Sequence, residues 1–231
     1  MLEALYLDNH LLALDKPAGM PTVPDSSGDE SLLEHAKALL KREFRKPGAV
    51  YLGVVHRLDR PVSGIVLFAR TSKAAERVSS AFRERRVEKV YWGVSREAPG
   101  PTEGVLEHWL WKDTARNRVM VVSAGAAGAK RARTRWRSLA SSGRGDERRV
   151  LVELVPETGR PHQLRAAMAA LGAPLLGDLK YGATAALPDA SIALHAKRLV
   201  VPHPVRPGVV ELDAPCPGGA VWRFPGIVGA R

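Results

Sequence analysis

Apolar and polar residues alternate from the first turn of the chain. Leu5-Tyr6-Leu7 and Leu11-Leu12-Ala13-Leu14 flank Asp8-Asn9, which predicts a hairpin of two short strands with those two residues at its turn. Pro17, Gly19, Pro21, Pro24 and Ser26-Ser27-Gly28 then break the pattern into a loop. From Ser31 to Phe44 the period changes: Leu32, Leu33, Ala36, Leu39 and Leu40 fall on one helical face, with Ser31 as N-cap and Lys46-Pro47-Gly48 as the stop. Tyr51 to Val55 reads as a strand. Gly64 to Ala69 is an unbroken apolar run of strand length, which marks a strand buried on both sides. A helix is expected over 72–85 with Ser72 as cap, and a strand over 87–94.

Beyond residue 99 the expected strands are 104–111, 118–122, 134–139 and 150–155, with a polar hairpin tip at 141–149. A helix over 160–171, closed by Gly172, is the last one expected. Short strands separated by Pro-rich loops follow. Strands outnumber helices and come in runs rather than in strict βαβ alternation. The fold class is therefore α+β with a mixed, mainly antiparallel central sheet, flanked by helices and loops.

Composition adds one strong constraint. The 231 residues are 45% apolar and 26% charged, enough for a sizeable core. Lys plus Arg number 35 and Asp plus Glu 24, a formal net charge of +11 and a pI near 10.2. A protein this basic is a candidate partner for nucleic acid, although a solvated basic surface gives the same total. One cysteine, Cys216, leaves no internal disulfide and speaks against a cysteine metal site. No basic-then-apolar leader and no apolar run of membrane-spanning length occur, so a cytoplasmic protein without membrane attachment is expected.

Four segments concentrate reactive and charged residues: Asp15-Lys16-Pro17-Ala18-Gly19, His56-Arg57-Leu58-Asp59-Arg60-Pro61-Val62-Ser63-Gly64, Lys89-Val90-Tyr91, and Gly159-Arg160-Pro161-His162-Gln163-Leu164-Arg165. In the second, an acid between two arginines feeds directly into the apolar strand. On its own that pattern reads first as an Asp–Arg pair fixing a loop, because a carboxylate at the edge of a core needs a partner.

Together the segments resemble the RluA-type family of pseudouridine synthases. His56-Arg57-Leu58-Asp59 with Ser63-Gly64 and a strand ending in Phe68-Ala69-Arg70 is similar to that family's signature. Gly159 to Arg165, Leu175-Leu176-Gly177-Asp178-Leu179-Lys180-Tyr181-Gly182, Leu194-His195-Ala196 and Pro202-His203-Pro204 are similar to its later motifs. The resemblance spans residues 5–217 and implies a pseudouridine-synthase fold. One catalytic domain over 1–231 is expected, with two subdomains around a cleft across the sheet and no N-terminal S4 RNA-binding domain.

The resemblance also implies roles. Asp59 is the catalytic aspartate and Arg165 pairs with it. Tyr91 stacks on the target base and Leu164 packs against it. Arg57, with Arg60 beside it, contacts the RNA. The reaction breaks the bond from nitrogen to ribose, turns the uracil and rejoins it through carbon 5, so neither cofactor nor metal is expected. The base must leave its stack to expose that bond. Three positions depart from the family pattern: Val62 for a usual Thr, Ala167 for a frequent His, and Leu179 for a common Pro.

Other signals stay open. On a strand through Lys130-Arg131-Ala132-Arg133-Thr134-Arg135-Trp136-Arg137, four arginines share one face, which suits either an RNA-backbone track through Arg133 and Arg135 or a solvent-exposed strand. His162 and His195 read as structural hydrogen-bonding groups. The partner expected is RNA, either tRNA or rRNA, with a small structured target such as a tRNA arm favoured and a monomer as the default state. The alternative is a non-catalytic RNA-binding or ribosome-assembly factor with the same fold.

Overall fold

The computed structural model describes residues 2, 4–45 and 47–227, with the side chain of Asp146 left aside. Lys46, part of the expected helix stop, lies outside the described residues. In chain order the elements are β1 (Ala4–Leu7), β2 (Leu11–Lys16), α1 (Leu32–Glu43), β3 (Gly53–Val54), β4 (Ser63–Ala69), α2 (Ser72–Arg83), β5 (Glu88–Ser95) and β6 (Glu103–Asp113). They continue with β7 (Arg118–Val122), β8 (Lys130–Ser142), β9 (Arg149–Pro156), α3 (Gln163–Ala170), β10 (Leu194–Pro202) and β11 (Val209–Asp213). The class is α+β with mostly antiparallel pairing, as the pattern of strands and helices indicated. Among the described residues no helix is long and apolar enough to cross a membrane.

The chain divides into two compact units, Met1–Lys89 with Ala196–Pro215 and Val90–His195 with Cys216–Arg231. In the first, β2 pairs antiparallel with both β1 and β4, β4 lies next to β10, and β10 pairs antiparallel with β11. Asp8 makes the β1–β2 turn: its carboxylate accepts the N–H groups of His10 (2.8 Å) and Leu11 (2.7 Å). Every residue of β4 from Gly64 to Ala69 is buried, so the unbroken apolar run is a strand covered on both faces. Leu11, Ile65, Leu67, Val78, Leu199 and Leu212 form the centre of this core.

Helix α1 begins as expected. Ser31 Oγ accepts from the Glu34 N–H, and Glu34 reaches back to the Ser31 N–H at 2.8 Å, closing a capping box. Helix α2 is capped by Thr71, one residue before the expected Ser72, through an N–H from Ala74. The expected strand over 51–55 is realised only at Gly53–Val54, because Val55 and His56 already turn into the loop that follows.

In the second unit the strand order is β5-β9-β8-β6-β7, with antiparallel ladders throughout. Strand β8 runs from 130 to 142, far beyond the expected 134–139, since its polar residues alternate with buried ones. Ala132, Thr134 and Trp136 are buried on one face while Arg131, Arg135 and Arg137 are exposed on the other. The last helix starts at Gln163 rather than 160, because His162 sits in the left-handed region at φ 48° and the turn through Pro161 precedes it.

Candidate active site

The loop between β3 and β4, residues 55–62, carries Arg57, Asp59 and Arg60. Leu58 and Val62 point inward and are buried, whereas Arg57 and Arg60 are exposed and Asp59 is half-buried. Apolar anchors thus present the polar residues outward. Thr22 clamps the loop from the first unit's 17–28 segment: its Oγ1 donates to the Leu58 carbonyl (2.9 Å) and accepts from the Leu58 N–H (3.2 Å). The Gly19 N–H donates to the Arg60 carbonyl at 2.9 Å, and the Val62 N–H closes a turn on the Asp59 carbonyl at 3.0 Å.

Lys16 is the centre of this clamp. It has no exposed surface, and its Nζ donates to the carbonyls of Pro17 (2.9 Å), Met20 (2.8 Å) and Arg60 (3.0 Å). Three carbonyl acceptors satisfy all three ammonium donors. Burial pulls its pKa down to about 8, and the Asp59 carboxylate is the largest influence holding it up. A buried ammonium beside Asp59 was not assigned any role from sequence, although its segment stood out. Asp15, the residue before it, has its pKa raised by burial, against the pull of Lys197 and Lys16.

His56 opens the loop as a neutral ring. Its Nε2 accepts the Leu67 N–H at 2.8 Å, and its face stacks on Phe82 with centroids 5.0 Å apart. Burial lowers its pKa to about 4. At the start of β4, Gly64 has φ +111°, and a Cβ there would lie 2.4 Å from the Ala196 carbonyl oxygen. Only glycine lets β4 approach β10 this closely. Arg60 pairs with Asp29 and lies 3.7 Å from Asp25, so its guanidinium is engaged with the 25–29 segment.

In the second unit, Tyr91 on β5 lies opposite Leu154, which lies opposite Trp136. Tyr91 therefore shares the face of Ala132, Thr134 and Trp136, and α3 packs on that same face. Gln163 anchors the helix. Its Nε2 donates to the Arg133 carbonyl and Thr134 Oγ1, both at 3.0 Å, while its Oε1 accepts from Thr158 Oγ1 (2.7 Å) and the Arg160 N–H (3.1 Å). Leu164 and Arg165 follow directly and are buried.

Arg165 makes a bidentate ion pair with Asp178, at 2.8 Å from Nε and 2.7 Å from Nη2, and its guanidinium lies 5.0 Å from the Tyr181 ring centroid. Tyr181 Oη accepts the Val119 N–H at 2.9 Å and is 2.9 Å from His162 Nδ1. Gly177 at φ +81° holds this turn close to the Ser191 carbonyl, 2.4 Å from where a Cβ would stand. Asp178 and Tyr181 lie in a segment that sequence motifs had marked without giving either residue a task.

Arg133 and Arg135 stand apart from these groups. They point to the opposite face of the sheet from Tyr91 and α3. There Arg133 pairs with Glu157, Arg135 with Glu157 at 3.0 Å, Arg131 with Glu107 at 2.5 Å, and Arg137 with Glu153 at 3.0 Å. Among the described residues, no group of three or more His, Cys, Asp or Glu is placed to hold a metal ion.

A family model described as RNA pseudouridylate synthase matches residues 10–170. An uncharacterized RNA pseudouridine synthase of Zymomonas mobilis is 35% identical over 214 residues, 92% of this chain and 93% of that protein. The dual-specificity RNA pseudouridine synthase RluA of Escherichia coli is 34% identical over 223 residues, 93% of each. The solved structure of human RNA pseudouridylate synthase domain containing 4 superposes with a TM-score of 0.74 at 26% identity, covering 91% of this chain and 87% of that one.

Proposed function

The chain belongs to the RNA pseudouridylate synthase family, and from that premise we propose that Asp59 is its catalytic carboxylate. The reaction is an isomerisation of uridine in RNA. The bond from N1 to C1′ breaks, the uracil turns, a bond from C5 to C1′ forms, C5 loses a proton and N1 gains one. No atom or electron is exchanged with a second substrate.

The observation that carries the assignment is the clamped loop. Asp59 is half-buried on a segment pinned by Thr22, Gly19 and the fully buried Lys16, whose ammonium interacts with its charge. A carboxylate held still is the group that nucleophilic or proton-abstracting chemistry on a nucleoside requires. Tyr91 supplies an aromatic face for the extruded base and Leu164 an apolar one. Arg165, oriented by Asp178, supplies a buried cation, and the exposed Arg57, with Arg60 beside it, takes RNA phosphate. Substrates are uridines of tRNA or rRNA, a breadth in keeping with the dual-specificity relative of Escherichia coli. The protein works as a monomer in the cytoplasm, a reducing compartment that its single cysteine suits.

The test is pseudouridine mapping by chemical labelling after incubation with unmodified tRNA and rRNA transcripts. The natural protein should create pseudouridine at discrete positions. Asp59→Asn should create none while binding the same transcripts within about threefold, since the carboxylate contributes little to affinity compared with the cations. Product formed by Asp59→Asn would remove Asp59 from the chemistry.

A further inference from the structure

A polyanionic substrate needs a surface that accepts phosphates, and the second unit offers two very different ones. On its outer face Arg131, Arg133, Arg135 and Arg137 stand in register with, or pair to, Glu103, Glu107, Glu153 and Glu157. Four charges of each sign leave this face neutral in a protein of net charge +11. The attraction of such a face for a phosphate backbone is small, and gripping RNA there would require breaking these ion pairs.

The β6–β7 hairpin has the opposite character. Lys112, Arg116 and Arg118 are exposed on it, and Lys180 is exposed beside it, with Nζ donating to the Asn117 carbonyl at 3.0 Å. A carbonyl orients an ammonium without neutralising it. Among the described residues, the acid paired within the group is Asp113, 3.9 Å from Arg116. Asn117, at φ 44°, reverses the chain so that Arg116 and Arg118 both stay at the rim.

This edge is tied to the α3 side of the sheet. The Arg118 guanidinium lies 5.7 Å from the Tyr181 ring that also carries Arg165, and Tyr181 Oη holds the Val119 N–H of β7. Cations at the edge and the guanidinium of Arg165 therefore share one rigid support.

We propose that Lys112, Arg116, Arg118 and Lys180 form the phosphate-binding edge by which the second unit holds the backbone of its substrate RNA, in place of the arginine stripe on β8. The inference rests on the RNA-modifying reading above. Binding of an unmodified tRNA transcript is measured across a series of KCl concentrations for the natural protein, K112A/R116A, R118A/K180A and R133E/R135E. Each phosphate that is no longer neutralised lowers the slope of log K against log[salt] by roughly 0.7–0.9. Each alanine pair should lower it by about 1–2 and weaken binding at low salt about tenfold. KM should rise with kcat within about twofold. R133E/R135E should keep the natural slope.

K112A/R116A leaves the Tyr181 support untouched, so weaker binding by that variant at unchanged melting temperature is not a folding defect. An unchanged slope in both alanine pairs, or a slope reduced only in R133E/R135E, would overturn the proposal. Pseudouridine formation by the natural protein on the same transcript is scored separately. Its absence would count against the proposed function, while the slopes still decide the edge.

Discussion

Gln163 is the most demanding test of how the site is held, because all four hydrogen-bonding positions of a buried amide are filled. The perturbation is Gln163→Leu, which keeps the approximate volume and removes every polar atom. The change strips the Thr158 hydroxyl of its acceptor, Thr134 Oγ1 and the Arg133 carbonyl of a donor, and the Arg160 N–H of its acceptor. Thr158 keeps the N–H of Arg133 at 3.0 Å, so that hydroxyl loses only half of its bonding. The two threonines are deeply buried, Thr134 at 1% and Thr158 at 8% exposure, and water cannot replace the amide there. A buried group left unsatisfied costs about 1–3 kcal/mol, so these two cost about 4 kcal/mol at mid-range, and the roughly 2 kcal/mol gained by burying a leucine leaves a predicted loss of about 2 kcal/mol. At this chain length that is a fall in melting temperature of about 4–8 °C. Urea unfolding followed by circular dichroism measures it, with hydrogen exchange over residues 163–170 to show whether α3 loosens first. A loss under about 1 kcal/mol at unchanged m-value would refute the reasoning, and would mean that α3 is held by apolar packing and not by this amide. Because Leu164 and Arg165 ride on the same helical turn, kcat should fall with the stability of the helix even below the melting transition.

Two further outcomes follow from the loop. The folded-state pKa of His56 lies near 4, below its ordinary 6.5, so the unfolded chain takes up the proton first as pH falls. The stability this ring contributes is complete above about pH 6.5 and is lost progressively toward pH 4, by up to about 3 kcal/mol. His56→Gln, whose side-chain oxygen can still accept the Leu67 N–H, should flatten that part of a pH–stability curve, and an unaltered curve would show that another group governs it. Gly64→Ala should cost at least about 2 kcal/mol from its positive φ, before any clash with the Ala196 carbonyl is added. Soluble, fully active protein with an unchanged melting point would contradict the close approach of β4 to β10.

Local physics alone determined a good part of this protein. The period of apolar residues located α1, α2 and the buried strand β4, because a one-sided helix and a two-sided strand leave different spacings in the chain. Short-range hydrogen bonding made the Asp8 turn and the Ser31 cap readable for the same reason: donor and acceptor lie within three residues of each other. The alternation through β8 correctly separated its buried residues from its arginines, whereas Asp59, Tyr91 and Arg165 were pointed to by the resemblance of linked motifs to a family and not by local physics. Tertiary structure decided what those side chains meet. Lys16 is separated from Arg60 by 44 positions and Gln163 from Thr134 by 29, so nothing in local spacing relates them. The glutamates that pair with the β8 arginines come from β6, from β9 and from the residue following β9, and no local spacing announces those partners. Partners brought together by long loops are chosen by the packing of the whole chain. The sequence can therefore say that a buried charge needs a partner, and only the fold can say which one it has.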